Sequence, residues 1–263
     1  MKRYVAALLV VSGLTACATT ETYDETRGWS VEKLYAEAHD ELNSGNYNRA
    51  VKLYETLEAR YPYGRFAQQA QMDIAYAQYK DNEAALSITA CDRFIKLHPT
   101  HPNLDYIYYL KGLVYFNDDS GLLGKWAGQD MSERDPKAQR EAFLAFRELT
   151  VRYPDSRYAP DALDKMNKLV DALGGHEMHV ARYYMKRGAY VAAVNRAQGV
   201  VKDYANTRYV EEALALSVEA YRRLGLTKLS DDNRRVLAAT FPKSAYLQGK
   251  WAVEELPWWK FWK

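Results

Sequence analysis

One motif returning at a near-regular interval constrains this chain more than anything else in it. Arg60-Tyr61-Pro62 comes back as Arg152-Tyr153-Pro154, with weaker copies at Leu97-His98-Pro99, Asp203-Tyr204-Ala205 and Thr240-Phe241-Pro242. When the five copies are aligned on the Pro/Ala position, the residue before it is always aromatic or His. Five before it stands an apolar residue: Leu57, Phe94, Leu149, Val200 and Leu237. Twelve before it stands a small one: Ala50, Ser87, Ala142, Ala193 and Ser230. Four after it, Phe66, Tyr158, Tyr209 and Tyr246 agree and Asn103 departs. The copies are 37, 55, 51 and 37 residues apart, close to the tetratricopeptide helix-turn-helix unit of about 34 residues. The interval of 55 holds a loop-like insertion between Asp118 and Asp135 with Gly121, Gly124 and Gly128, and removing it restores 37. The interval of 51 implies a lengthened helix from about Arg157 to Arg187, with Gly174-Gly175 as a place to kink.

Within a unit the pattern predicts two antiparallel helices. In the first, Val31 to Asn43 and Tyr47 to Arg60 flank the breaker Ser44-Gly45-Asn46, and a related breaker recurs as Arg187-Gly188-Ala189. Ala38, Ala75, Gly112 and Ala181 supply small residues on the first helices, opposite the small set on the second, so that the two axes approach closely. Proline ends the second helix by removing a donor. The fifth unit is less regular, with Val218 at the small site, as terminal repeats often are. The expected fold is all-α, a right-handed α-solenoid of about five tetratricopeptide helix pairs. Repeats 1–3 are expected over 29–156, with the inserted loop at 118–135, and repeats 4–5 over 157–250.

The N-terminus carries an export pattern. Lys2 and Arg3 precede an apolar run from Tyr4 to Leu14, and Leu14-Thr15-Ala16-Cys17 reads as a lipoprotein cleavage box. Residues 1–16 are expected to be removed, and Cys17 to carry a diacylglyceryl group and an N-acyl chain, the only cofactor-like groups expected. The run is shorter than the ~20 residues a spanning helix needs, and several acyl chains make a lasting anchor. Ala18, rather than Asp, after the cysteine favours the outer membrane, facing the periplasm. Residues 17–28 read as the lipidated cysteine and a tether. Cys91 then has no disulfide partner and reads as a small core residue. Lys and Arg number 36 against 34 Asp and Glu, a balance that gives no case for a nucleic-acid partner.

Chemistry-bearing motifs are sparse. His176-Glu177-Met178-His179 spaces two imidazoles one turn apart without a third ligand set and reads as a solvated pair. No nucleophile motif, phosphate-cradling loop or Cys-x-x-Cys is written, so no catalytic or metal residue is expected. Residues 251–263 form an aromatic and basic tail in which Trp258, Trp259 and Trp262 stand with Lys260 and Lys263. That composition suits a bilayer headgroup zone and equally a segment packed on the last repeat.

Several strings together resemble the BamD family, also described as ComL, lipoproteins of the outer-membrane β-barrel assembly machine. They are Arg60-Tyr61-Pro62-Tyr63-Gly64, the run Asp92 to Asn103 with its Pro99-Thr100-His101-Pro102-Asn103 linker, Arg134-Asp135-Pro136, and Tyr183 to Ala189. The resemblance covers roughly Ser30 to Pro242. Gly174-Gly175 and the tryptophan-rich ending depart from it. It implies a scaffold that docks through its C-terminal repeats to the periplasmic POTRA region of BamA, beside other lipoproteins of the machine and outer-membrane lipid. It also implies N-terminal repeats that receive unfolded outer-membrane proteins by their C-terminal signal. Arg187, Asn195, Arg196 and Arg208 offer donors for the BamA contact, Arg196 foremost. The alternative is a peptidoglycan-associated lipoprotein acting in DNA uptake or envelope architecture.

Repeats of this kind present their first helices on a concave face. The inward positions are Tyr35, His39 and Leu42, then Met72, Tyr76 and Tyr79, then Tyr106, Tyr109, Leu113 and Phe116. Tyr35, Met72, Tyr76, Tyr79, Tyr106, Tyr109 and Phe116 form the expected client groove, aromatic rather than a charged clamp. Rings with polar tips suit an extended peptide with alternating aromatic side chains, the chemistry of a β-barrel strand end. The same stripe at helical spacing also fits packing inside the superhelix.

Overall fold

The computed structural model describes residues 24–117, 131–133 and 135–249. The signal segment, Cys17, most of the tether and of the insertion, and the tail 251–263 lie outside the described residues. Among these described residues ten α-helices follow in order: α1 Val31–Asn43, α2 Tyr47–Arg60, α3 Arg65–Lys80, α4 Ala84–Leu97, α5 Leu104–Asn117, α6 Pro136–Arg152, α7 Ala159–Lys186, α8 Tyr190–Asp203, α9 Val210–Arg223 and α10 Thr227–Thr240. Two short 3-10 turns, Met131–Glu133 and Ala245–Gln248, sit before α6 and after α10. Among the described residues there is no strand, and each helix packs chiefly on its neighbours in the chain. The result is an all-α stack of five tetratricopeptide helix pairs. First helices of neighbouring repeats also touch, α1 with α3, α3 with α5 and α7 with α9, which makes them the inner layer.

The repeated motif is the C-cap of each second helix. Tyr61, His98, Tyr153, Tyr204 and Phe241 each leave the helical region at φ between −126° and −132°, and each donates its N–H to the apolar residue four before it. A following proline disfavours helical geometry at exactly such a position by crowding the preceding residue, and Pro62, Pro99, Pro154 and Pro242 do so here. Turns inside a repeat are equally uniform. Gly45, Gly188 and Gly225 adopt φ of +82°, +74° and +72°, and Asn82 takes the same place at +67°. Asn46, Glu83, Ala189 and Leu226 then donate back to carbonyls five residues earlier, at 2.9 to 3.0 Å. This reversal needs a left-handed residue, which glycine adopts without cost and asparagine with little.

The small residues lie where the paired helices cross. Ala38, Ala50, Ala75, Ser87, Ala142, Ala181 and Ala193 are all fully buried. Ser87 Oγ donates to the Ala75 carbonyl at 2.8 Å and Ser230 Oγ to that of Val218 at 2.9 Å, satisfying a buried hydroxyl across each crossing. At Gly112 a Cβ would stand 2.5 Å from Cδ1 of Phe146. Cys91 is fully buried, and burial pushes its thiol up to about 12, so the nucleophilic thiolate is suppressed.

Two features differ from the sequence reading. First, α7 runs through Gly174 and Gly175 as unbroken helix. Both glycines are buried, and a Cβ on Gly175 would meet Tyr209 Oη at 2.7 Å and Ser132 Cβ at 2.8 Å. They serve close approach at a crowded joint. The apolar core changes hands in this helix, one cluster ending at Leu169 and the next starting at Met178. The helix that begins two residues past the expected boundary of 156–157 is thus shared by both halves. Second, His176, half-buried, and His179, exposed, share a partner that the sequence did not show. His179 Nε2 bonds Ser132 Oγ at 2.9 Å and His176 Nδ1 bonds the Ser132 carbonyl at 3.2 Å. The pair fastens the end of the insertion to α7, where Gln139 also holds the Met131 carbonyl.

Candidate functional site

The first helices of three consecutive repeats build one open cleft of about 610 Å³. α1 gives it His39, Leu42 and Asn43, α3 gives Gln69, Met72, Asp73 and Tyr76, and α5 gives Asp105 and Tyr106. Arg157 and Tyr158 close it from the turn before α7, and Pro102-Asn103 from the linker before α5. Spacing explains the α3 face, since Gln69, Asp73 and Tyr76 are four and three residues apart and lie above one another on a helix.

The seven expected groove residues divide. Met72, Tyr76 and Tyr106 line the cleft, Met72 with only 2% of its surface exposed. Tyr35 lies behind it. Its ring packs on Tyr54 and Phe66 with centroids 5.8 and 5.4 Å away, and its hydroxyl donates to Asp73 at 3.0 Å. Tyr109 stacks on Tyr158 at 4.7 Å and donates to Asp161 at 2.5 Å. Phe116 packs edge-on against Phe146 and beneath Lys165. Tyr79 is half-buried against the same core and outside the cleft lining.

The polar part of the cleft was not read as a site from the sequence. Asp73 accepts from Tyr35 and, at 2.9 Å, from Gln69 Nε2. Burial raises its carboxyl above the ordinary carboxylate range, and the bonds from Gln69 and Tyr35 offset that only in part. The fully buried Tyr54 hydroxyl feels the same charge but stands outside hydrogen-bonding geometry. Burial first and Asp73 second hold the Tyr106 phenol protonated, so it remains a donor. The signal that would have found Asp73 is its place on the Gln69–Tyr76 face.

A second cleft, of about 520 Å³, lies between α6, α7 and α8. Of the four donors expected to meet a partner, Asn195 and Arg196 line it, with Arg140, Glu177 and Tyr184. Glu177 bonds Arg196 at 3.0 Å and approaches Arg140 at 3.8 Å. Arg187 lies over Tyr183 and donates to its hydroxyl at 3.1 Å. Arg208 lies over Tyr209 and pairs with Asp171 at 3.2 Å. The structure therefore brings Asn195 and Arg196 together and leaves Arg187 and Arg208 on their own tyrosines.

Comparison with known proteins adds the following. The family model described as "Outer membrane lipoprotein", YfiO, matches residues 28–237. A relative from Neisseria meningitidis serogroup B, named outer membrane protein assembly factor BamD, is 58% identical over 266 residues, covering 100% of both chains. Proteins of the same name from Xylella fastidiosa and Vibrio cholerae are 39% and 34% identical, covering 90% and 89% of this chain and 82% and 96% of theirs.

Proposed function

The chain belongs to the YfiO family of outer membrane lipoproteins, and from that premise we propose that it is a non-catalytic scaffold in outer-membrane protein assembly. Its relatives' shared name favours this over a peptidoglycan-associated role in DNA uptake or envelope architecture. The observation that carries the mechanism is the cleft built by α1, α3 and α5. It offers an extended peptide apolar faces on Met72, Tyr76 and Tyr106 and hydrogen-bonding groups on Gln69, Asn43 and the phenols. The C-terminal strand of an unfolded barrel protein has that character, so the first three repeats receive the client. The face of α6, α7 and α8 around Arg196 meets the POTRA region of BamA. Client and partner then occupy different clefts of one stack, and neither blocks the other.

Anchoring through lipidated Cys17 would hold the solenoid at the periplasmic face of the outer membrane. Cys17→Ser is expected to stop lipid attachment and normal maturation, moving the protein out of the outer-membrane fraction. A variant that matures and fractionates like the parent would show that the anchor lies elsewhere.

The partner contact is tested by a pair of variants. Arg196→Glu sets two carboxylates face to face, since Glu177 now bonds the guanidinium at 3.0 Å, and it removes the donors offered to a partner carboxylate. BamA copurification from detergent extracts at elevated salt is expected to drop at least tenfold, as loss of a charge-assisted contact costs about 1.5–3 kcal/mol. Glu177→Gln frees Arg196 without removing it and should preserve copurification. Equal recovery of BamA with Arg196→Glu and parent would rule this residue out.

A further inference from the structure

The cleft between α1, α3 and α5 contains a charge that an aromatic groove does not need. Asp73 lies in its lining, half-buried, with one oxygen accepting from Tyr35 and the other from Gln69. Both donors are neutral. An ionised carboxylate offers about four acceptor sites, so capacity remains. Among the described residues no lysine or arginine forms an ion pair with Asp73. A charge drawn out of water and met only by neutral donors is undercompensated, which is what the raised carboxyl reports. The group that restores most of that lost solvation is a cation.

The surroundings carry the same sign. Asp105, the second carboxylate of the cleft, is committed to the Ser156 hydroxyl at 2.7 Å and to the Tyr106 N–H at 2.8 Å. Against the two carboxylates stands Arg157, whose guanidinium lies over Tyr158 and donates to its hydroxyl at 2.5 Å. His39 is bonded to Asn43 at 2.9 Å. Two carboxylates of the lining thus face one guanidinium. Tyr76 and Tyr106 supply ring faces, whose electron-rich surfaces attract a cation. A carboxylate brought against Asp73 would meet a like charge.

We propose that the cleft binds a lysine or arginine side chain of its peptide ligand, with Asp73 as the counter-ion and Tyr76 and Tyr106 as the walls. The inference rests on the reading that this cleft receives the client strand, and it adds a specificity rule to it. Extended aromatic segments bearing one basic residue bind in preference to those bearing a neutral or acidic residue at that position.

The test uses the full-length lipoprotein in detergent and three labelled ten-residue peptides with alternating aromatic residues, identical except for Lys, Gln or Glu at one central position. Fluorescence anisotropy should rank Lys over Gln by about tenfold, the worth of one charge-assisted contact, and Glu last. Asp73→Asn keeps the shape and an acceptor for Gln69 or Tyr35. It should erase the Lys preference, so that the Lys and Gln peptides bind alike, with unchanged circular dichroism. Equal binding of the Lys and Gln peptides by the parent, or a Lys preference that survives Asp73→Asn, overturns the proposal. The charge series on the parent protein decides even if the variant folds poorly. Tyr106→Ala separates the two claims. If it weakens all three peptides while the parent shows no charge ranking, the cleft is the site and the cation rule is wrong. If it weakens none, the cleft is not the site and the proposal falls with it.

Discussion

Gly112→Ala is expected to lower the melting temperature by about 2–4 °C, whereas Gly199→Ala should raise it by about 1–3 °C. Both glycines lie inside helices, and alanine is the better helix former by up to about 1 kcal/mol at each. Propensity alone therefore predicts two stabilised proteins. Packing separates them. Around Gly199 nothing lies within 4 Å of an added Cβ, so only the gain in helix propensity is felt. At Gly112 the added carbon falls 2.5 Å from Cδ1 of Phe146, a ring that is fully buried and wedged between Tyr109 and Phe116 at centroid distances of 6.0 and 6.3 Å. The ring cannot withdraw without moving its neighbours, and overpacking of this kind costs about 1–3 kcal/mol, enough to outweigh the propensity gain. Thermal denaturation followed by circular dichroism gives both signs at once. A stabilised Gly112→Ala protein would mean that α5 and α6 do not approach as closely as described.

Legibility from sequence followed the range of the forces involved. The C-caps were readable because Pro62 acts on Tyr61 through the covalent backbone, and the same local rule repeats at Pro99, Pro154 and Pro242. The small sites were readable because a crossing fixes both members of a pair, Ala38 with Ala50, Ala75 with Ser87 and Ala181 with Ala193, each twelve residues apart. What escaped was set by partners distant in the chain. Gly174 and Gly175 look like a hinge until Thr207, Tyr209 and Ser132 are seen pressing on them. That His176 and His179 share Ser132 depends on the insertion, which returns that residue to α7. The seven expected groove residues, six of them aromatic, show the resolution of a helical pattern. Tyr106 and Tyr109 sit one turn apart on α5 and share a stripe, yet only Tyr106 lines the cleft, because Tyr109 is drawn to Tyr158 and Asp161. Asp73 was passed over because a charged residue amid aromatics reads as surface until its burial is known.

The central claim is a division of labour, with clients in the cleft of the first three repeats and the assembly partner on the face around Arg196. Tyr106→Ala removes a ring that lines the cleft and a phenol held as a donor. Loss of such an anchor at an interface commonly costs ~2 kcal/mol or more, about thirtyfold in affinity. Tyr76→Ala, on the neighbouring helix, should act in the same direction. Arg196→Glu alters a different cleft, formed by α6, α7 and α8. The most direct measurement is fluorescence anisotropy of a labelled peptide ending in the aromatic strand of a barrel protein, titrated with the parent, Tyr106→Ala and Arg196→Glu, each shown to be folded by circular dichroism. The account predicts about thirtyfold weaker binding by Tyr106→Ala and parent-like binding by Arg196→Glu. Parent-like binding by Tyr106→Ala, or a loss confined to Arg196→Glu, would contradict it.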